Sequence, residues 1–500
     1  MKILVYVPSA LYDPHFGMQL EEAESLYREG NSVTLAYCDG FQKYCFKNPR
    51  GDQGLCKYCR FCAKTWVKKY LSPGIKIVPV KAAAALPDHT WQYQTVQDIK
   101  NIVWKDVFIG YGVVSAFATI TRNPEPDFSL TPVKKHFDFA LNHAVALTEQ
   151  FYALADEESP DVISIFNGRF IENRPLYDIA RKRNIPVRIN ESIGGLRDQT
   201  EVMRIVYENN LPFSIPYVTE LIHKVWEISE KNTEEKIREG KDFFERRRCG
   251  VPAGDRVYTA NQKKGLLPEN WDAGKRNIVI FNSSEDEFVS VGKDFDDYAI
   301  FKSQFDGINA ILSHFTSSEY HFYLRVHPNL AKVNFAYHTD LYDLPNKYKN
   351  LTVIPATAPC STYDLMDAAE KVIVFGSTMG VESAFWGKPT ILLAGAFYHQ
   401  LNICHTPKSV DEAYELIAQT DLPASASTDG AIKYGYFILN QTLLTVPRKY
   451  IDYSLYKTGK KSYSCGYTKL FGSKLLAKYL KKFFRQRAKK NSALLPDKTA

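Results

Sequence analysis

The feature that most constrains the fold is a pattern that occurs twice: a short β-branched apolar run, a polar loop, and then a helical segment. Residues 2–8 (KILVYVP) and 277–282 (NIVIFN) each open such a series. The first is followed by helical periodicity at 17–29 and candidate strands at 32–37, 75–80, 161–166 and 185–189. The second is followed by a helical pattern at 298–314 and strands at 321–326, 351–355, 371–375 and 390–394. Apolar runs this short and unbroken suit strands buried on both faces, and the helical segments between them make βαβ units of a parallel sheet. The expectation is an α/β chain of two doubly wound, Rossmann-like domains facing a cleft. Ligands of such domains bind at the carboxyl ends of the strands. A Gly-, Pro- and polar-rich stretch at 249–276, preceded by one long charged helix at 218–248, reads as the linker. The domains are therefore expected at 1–255 and 275–450, with 451–500 as a tail.

Charge locates a second feature. The 500 residues carry a formal +7, but Lys474, Lys478, Lys481, Lys482, Arg485, Arg487, Lys489 and Lys490 crowd into a span without an acid. Without these cations the rest of the chain sums to −1. Leu475, Leu476, Tyr479, Leu480, Phe483 and Phe484 recur at helical spacing in the same span. An aromatic stripe beneath a cationic face predicts a basic amphipathic helix lying on anionic lipid. No run approaches the ~18 apolar residues that span a bilayer. The opening apolar run is shorter than a signal-peptide core. The expected location is cytoplasmic, peripheral on the inner face of the cytoplasmic membrane.

The densest polar motif is Lys371-Val-Ile-Val-Phe-Gly-Ser-Thr-Met-Gly-Val-Glu-Ser-Ala-Phe-Trp-Gly-Lys-Pro-Thr390. A strand ends at Phe375, a turn holds Gly376, Ser377 and Thr378, and a short helix follows to about Trp386. Amides and hydroxyls at a helix start suit a phosphate, and Glu382 could accept hydrogen bonds from sugar or ribose hydroxyls. Upstream, Tyr323-Leu-Arg-Val-His-Pro-Asn329 puts Arg325 and His327 at a strand's carboxyl end, where a cation can meet a leaving phosphate. Asn282, Ser283 and Ser284 end the first strand of this half at a comparable place.

The His-Pro pair, followed by Gly-Ser-Thr-x-Gly-x-Glu-Ser and Gly-Lys-Pro, resembles bacterial GT-B glycosyltransferases of capsule and surface-polysaccharide biosynthesis over about 277–400. The resemblance implies that His327, Ser377 and Thr378, and more loosely Glu382, bind the phosphates of a nucleotide-sugar donor, with no catalytic metal. It implies transfer to a growing surface glycan or a lipid-linked acceptor. Polyol-phosphate transferases and sugar-nucleotide 2-epimerases share much of the pattern and are the alternatives. From another class, a metal-bearing nucleic-acid binder would use the cysteines and the basic tail, but no motif that reads RNA or DNA is present and no nucleic-acid partner is expected.

In the first half, Phe166-Asn-Gly-Arg169 and Val187-Arg-Ile-Asn-Glu-Ser-Ile-Gly194 are strand ends followed by polar residues. They bring Asn167 and Arg169 to the acceptor side. An inverting transfer needs a carboxylate to take the acceptor proton, and Glu191 is one candidate. Asp13, with His15, in the loop after the first strand is the other.

Five of nine cysteines fall in one stretch, Cys38-x6-Cys45-x10-Cys56-x2-Cys59-x2-Cys62. Four thiolates within reach of one loop suit structural zinc, and a close Cys-x2-Cys-x2-Cys run also suits an iron–sulfur cluster. Zinc leads, in a bracing role.

Overall fold

The computed structural model describes residues 1–451 apart from 13, 41, 43, 81–87, 194–202, 255–257, 260, 261, 426 and 448. Asp13 and the basic tail 473–490 therefore lie outside the described residues. The chain divides into two compact units, Met1–Pro212 joined by the segment from Leu444, and Phe213–Leu443.

The first unit is built on β1 (Lys2–Val7), β2 (Ser32–Cys38), β3 (Lys76–Val80), β4 (Val162–Phe166), β5 (Val187–Ile193) and β6 (Met203–Glu208). Five of these strands run parallel in the order β3-β2-β1-β4-β5. The antiparallel β6, which the sequence did not announce, extends the sheet and is itself paired by Thr445–Val446 from the far end of the chain. Alternate residues of β1 explain its uninterrupted apolar run. Ile3, Val5 and Val7 pack with α1 (His15–Arg28) and α2 (Gln53–Tyr70). Tyr6, on the opposite face, meets Phe151 of the helix Thr131–Glu158 edge to face at 4.9 Å.

Helix α1 buries acids that would ordinarily face water, and each is matched. Glu22 accepts from Arg188 at 2.6 Å and from Arg204 of β6. Glu24 holds Arg28 and Ser72. Glu21 holds backbone N–H groups of the returning segment. Buried polar groups are tolerated because they are paired.

The second unit contains β7 (Arg276–Phe281), β8 (Tyr320–Arg325), β9 (Leu351–Ile354), β10 (Lys371–Val374) and β11 (Thr390–Leu392). They are parallel in the order β9-β8-β7-β10-β11. Both sheets thus run outward from their first strand in two directions, the Rossmann order, and each has a switch point where consecutive connections diverge.

The boundary falls at Pro212–Phe213 rather than within 249–276. The expected single helix at 218–248 is two, α3 (Ile215–Ile228) and α4 (Thr233–Arg248), because Asn232 and Glu235 form a capping box that starts a new helix. Both pack on α6 (Asp429–Asn440), after α5 (Met379–Phe385). The α4–α6 approach depends on Gly240 and Gly435, since a Cβ on Gly435 would lie 2.4 Å from the Gly240 carbonyl oxygen. These helices therefore belong to the second unit and are not a tether. Among the described residues no helix is long and apolar enough to cross a membrane.

Candidate functional site

In the second unit the loops after β7, β8 and β10 border one pocket enclosing about 560 Å³, part of it open to solvent. It lies at the switch point, and Asn282, Arg325, His327, Ser377, Thr378 and Glu382 line it. The sequence motifs, up to about a hundred residues apart, therefore converge. Asn282 Oδ1 accepts the His327 N–H at 2.8 Å, which locks the ends of β7 and β8 together. The His327 imidazole accepts the Asn329 N–H at Nδ1, 3.2 Å away, so the neutral ring carries its proton on Nε2. The Tyr258 ring meets it edge-on at 5.5 Å.

Three expected donor-binding residues have other work. Arg325 is buried, and its guanidinium donates to the carbonyls of Pro355 at 2.5 Å and Ala358 at 3.0 Å. It shapes the 355–358 loop. Ser283 donates to the Phe375 carbonyl at 2.7 Å and accepts from Gln304 at 2.8 Å, joining the ends of β7 and β10. Gly376 adopts φ +81°, and a Cβ there would be 2.8 Å from the Gly395 carbonyl oxygen. Backbone geometry requires the glycine. Neither Ser283 nor Gly376 is among the pocket-lining residues.

Glu382, 1% exposed, accepts from Arg247 Nε at 3.0 Å on one oxygen and from the Tyr363 hydroxyl on the other. Burial and the neighbouring carboxylate push the Tyr363 hydroxyl well above its usual pKa, so it stays protonated and donates. Arg247 also reaches Thr378 Oγ1 at 3.5 Å. The arginine comes from α4, where Phe244, one turn earlier, stacks on Phe385 of α5 at 4.0 Å and sets the helix against the motif.

Arg247, Tyr258, Thr259, Gln262 and Tyr363 are pocket residues that sequence reasoning missed. In the run Arg246-Arg247-Arg248 only the middle member turns inward: Arg246 is bonded to the Pro252 carbonyl and Arg248 to Asp367. Tyr258, Thr259 and Gln262 lie in the supposed linker. That stretch runs beside 359–364, with the Lys263 N–H 2.8 Å from the Pro359 carbonyl and Gln262 accepting the Thr362 N–H at 2.8 Å.

In the first unit, the ends of β1, β4 and β5 gather Tyr12, His15, Phe166, Asn167 and Glu191. Asn167 takes φ +58° and Gly168 φ +82°, a tight turn that directs the Asn167 amide to Glu191 Oε1. Glu191 lies within β5, paired with Ile205 of β6, rather than in a loop beyond the strand. Loss of hydration pushes its carboxyl up to about 7, against the opposing pull of Asn167, the Ser192 N–H and the Arg169 charge. Arg169 lies over the Phe170 ring at 4.8 Å and reaches Thr119 Oγ1 at 3.4 Å. His15 is the first residue of α1, its ring tilted against that of Phe166 at 4.0 Å. Burial, reinforced by Lys47, pushes its pKa down to about 3, so the ring is neutral at physiological pH. Of the Asp13–His15 pair only His15 lies among the described residues, and it packs against Tyr12 and Phe166.

The cysteine segment, expected to lie within one loop's reach, is partly helical. Cys56, Cys59 and Cys62 lie in α2, where each three-residue step turns back by about 60°. Cys56 and Cys59 share a small pocket with Cys38 and Cys45. Cys62 is rotated away into the apolar core beside Trp66 and Phe16. Among the described residues, no group of three or more His, Cys, Asp or Glu side chains is placed where it could hold a metal ion.

No family model matches the sequence, and no curated protein matches it. Among solved structures, the chain is similar to the KpsC beta Kdo 2,4 transferase of Thermosulfurimonas dismutans at 12% identity, over 56% of this chain and 80% of that one, with a TM-score of 0.33. The beta Kdo 2,7 transferase of the same KpsC is similar at 13% identity, over 59% and 90%, with a TM-score of 0.29. A UDP-GlcNAc 2-epimerase from Neisseria meningitidis bound to UDP-GlcNAc is similar at 10% identity, over 89% and 100%, with a TM-score of 0.25. At such low identity and overlap these likenesses assign no activity.

Proposed function

We propose that the chain is a glycosyltransferase of the GT-B plan, moving a sugar from a nucleotide donor to a cell-surface or lipid-linked glycan. The observation that carries this reading is the second unit's pocket, where His327, the Ser377 and Thr378 hydroxyls and the Arg247–Glu382 pair meet at a Rossmann switch point. Such a pocket can take a nucleoside diphosphate or monophosphate. Imidazole and hydroxyl donors face the phosphate oxygens, and a fixed cation in low dielectric offsets the charge that grows on the leaving group. The chain's residues do this without a metal at the phosphates.

The first unit supplies the acceptor side. Glu191, held by Asn167, takes the acceptor hydroxyl proton, and its raised pKa matches a base working near neutrality. The basic tail 473–490 holds the enzyme at an anionic membrane where a lipid-linked acceptor resides. Flotation with anionic vesicles, comparing the full chain with one ended at 472, tests that part separately.

Thermal stabilisation by CMP-, UDP- and GDP-sugars, followed by product analysis with glycan acceptors, tests the central reading. A nucleotide-sugar that stabilises the wild type and not His327→Ala supports it. No response to any nucleotide sinks it, and epimerised donor without transfer moves the chain to the epimerase class.

A further inference from the structure

The imidazole of the donor pocket is held by residues to which the reading above gives no role. His327 caps the short turn Pro328–Leu330, and its Nδ1 accepts the Asn329 N–H at 3.2 Å. With Nδ1 accepting, the neutral ring carries its proton on Nε2 and donates there. The main chain of Asn329 therefore decides which nitrogen of His327 is the donor.

The Asn329 side chain is in turn engaged at both ends. Its Nδ2 donates to Glu287 Oε1 at 3.2 Å, in the turn after β7, and its Oδ1 accepts the Tyr258 hydroxyl at 2.7 Å. One amide orientation suits both neighbours: the carboxylate can only accept, so the NH2 group faces Glu287 and the phenol donates to the remaining oxygen. Tyr258 also meets the imidazole itself, ring edge to ring face at 5.5 Å and 69°.

Tyr258 comes from the stretch expected to be a linker, and that stretch is anchored at its far end too. The Gly265 N–H donates to Asp364 Oδ2 at 2.5 Å, and the Leu266 carbonyl accepts the Ser361 N–H at 3.2 Å. Glu287 is exposed, while Asn329 and Tyr258 are half-buried, and Tyr258 lines the pocket with His327. A connected set of hydrogen bonds thus runs from the surface to the pocket wall.

We propose that Glu287, Asn329 and Tyr258 form a positioning chain that fixes His327 as an Nε2–H donor to the phosphate of the nucleotide. The inference rests on the donor-site reading of this pocket and adds three residues to it that act through the histidine. A binding group keeps its aim when the hydrogen bonds behind it lock its rotamer and its main chain. Tyr258 and Asn329 do both here, one against the ring and the other at Nδ1.

Two measurements on the full chain test this. Amide exchange needs no nucleotide: the Asn329 N–H should exchange about tenfold faster in Tyr258→Phe, which keeps the ring and loses only the hydroxyl. Calorimetry with CMP, UDP and GDP follows. Whichever nucleotide binds the wild type should bind Tyr258→Phe and Asn329→Ala about tenfold more weakly. The double variant should be no worse than Asn329→Ala, because both changes break one chain. Asn329→Asp sets two carboxylates against each other and should weaken binding similarly. Adding Glu287→Gln, whose amide can donate to the new carboxylate, should restore most of the affinity. Unchanged Asn329 exchange in Tyr258→Phe overturns the chain. Faster exchange with unchanged affinity overturns its role in binding, and additive losses in the double variant overturn action through His327. A wild type that binds none of the three nucleotides sinks the donor-site reading instead, and amide exchange still decides whether the chain holds the histidine.

Discussion

Arg247 Nε lies 3.0 Å from Glu382 Oε1, joining residues 135 positions apart, and both side chains are almost wholly removed from water. A buried pair gives little net stability over an apolar one, but removing one partner strands the other. Arg247→Met should therefore cost about 3–5 kcal/mol in urea unfolding, as well as weaken nucleotide binding. Arg247→Lys should recover part of the stability and little of the binding, because an ammonium cannot serve Glu382 and Thr378 as a planar fork does. Equal stability in wild type and Arg247→Met would show that the pair is not closed in solution.

Two residues of one strand end should separate in their effects. His327 is half-buried in the pocket wall, whereas the Arg325 guanidinium is turned to the carbonyls of the 355–358 loop. His327→Ala should leave unfolding free energy within about 1 kcal/mol of wild type and abolish stabilisation by the nucleotide-sugar. Arg325→Lys should lower stability by roughly 1–3 kcal/mol through orphaned carbonyls and keep measurable donor binding. The reverse pattern in calorimetry and melting would exchange their assignments.

Legibility in the sequence followed the reach of each signal. Strand positions in both halves were readable because β1 and β7 are buried on both faces, and a run of consecutive apolar residues records that directly. Strand β6 was not. Its MRIVYE runs antiparallel between β5 and the Thr445–Val446 strand and mixes Arg204 with apolar residues, because Arg204 is there to meet Glu22. The His327 and Ser377 motifs were visible as polar breaks at strand ends. Arg247 was invisible, since its inward turn is set by Phe244 stacking on Phe385 and by the Gly240–Gly435 contact, which are long-range packing events. For the cysteines, spacing suggested one ligand set, whereas among the described residues no group of His, Cys, Asp or Glu could hold a metal ion. Placing Cys56, Cys59 and Cys62 within one loop's reach missed that all three lie on the helix α2, which turns Cys62 into the apolar core.

Glu191 gives the pH dependence its sign. Its carboxyl titrates near 7, raised by lost hydration, and faces Asn167, the Ser192 N–H, Arg169 and Tyr12. A base must be ionised to accept the acceptor proton, so kcat/KM should rise with pH through about 7 and level above it. Folding stability should move the other way. The unfolded carboxyl ionises near its ordinary 4.5, so between there and about 7 the folded state holds the extra proton, and stability falls as pH increases across that window. Glu191→Gln should abolish the rising limb and lower turnover by about 10²–10⁴-fold. A rising limb that persists in Glu191→Gln assigns the base elsewhere.

The returning segment meets two carboxylates, in α1 and just after it, with unequal expected effects. Glu21, fully buried in α1, accepts the backbone N–H of Lys449 at 2.8 Å, that of Tyr450 at 3.2 Å and that of Ile451. Glu29 meets only the Lys449 ammonium, at 3.5 Å, with both side chains about half exposed. Hydrogen bonds to a buried charge are worth about 1.5–3 kcal/mol each before the cost of orphaned donors, whereas an exposed ion pair contributes about 0–1 kcal/mol. Glu21→Ala should therefore release residues 444–451 to limited proteolysis and lower the unfolding midpoint, and Glu29→Ala should do neither. A Glu21→Ala protein cut no faster than wild type in that segment would mean that the Thr445–Val446 pairing with β6 holds it without the carboxylate.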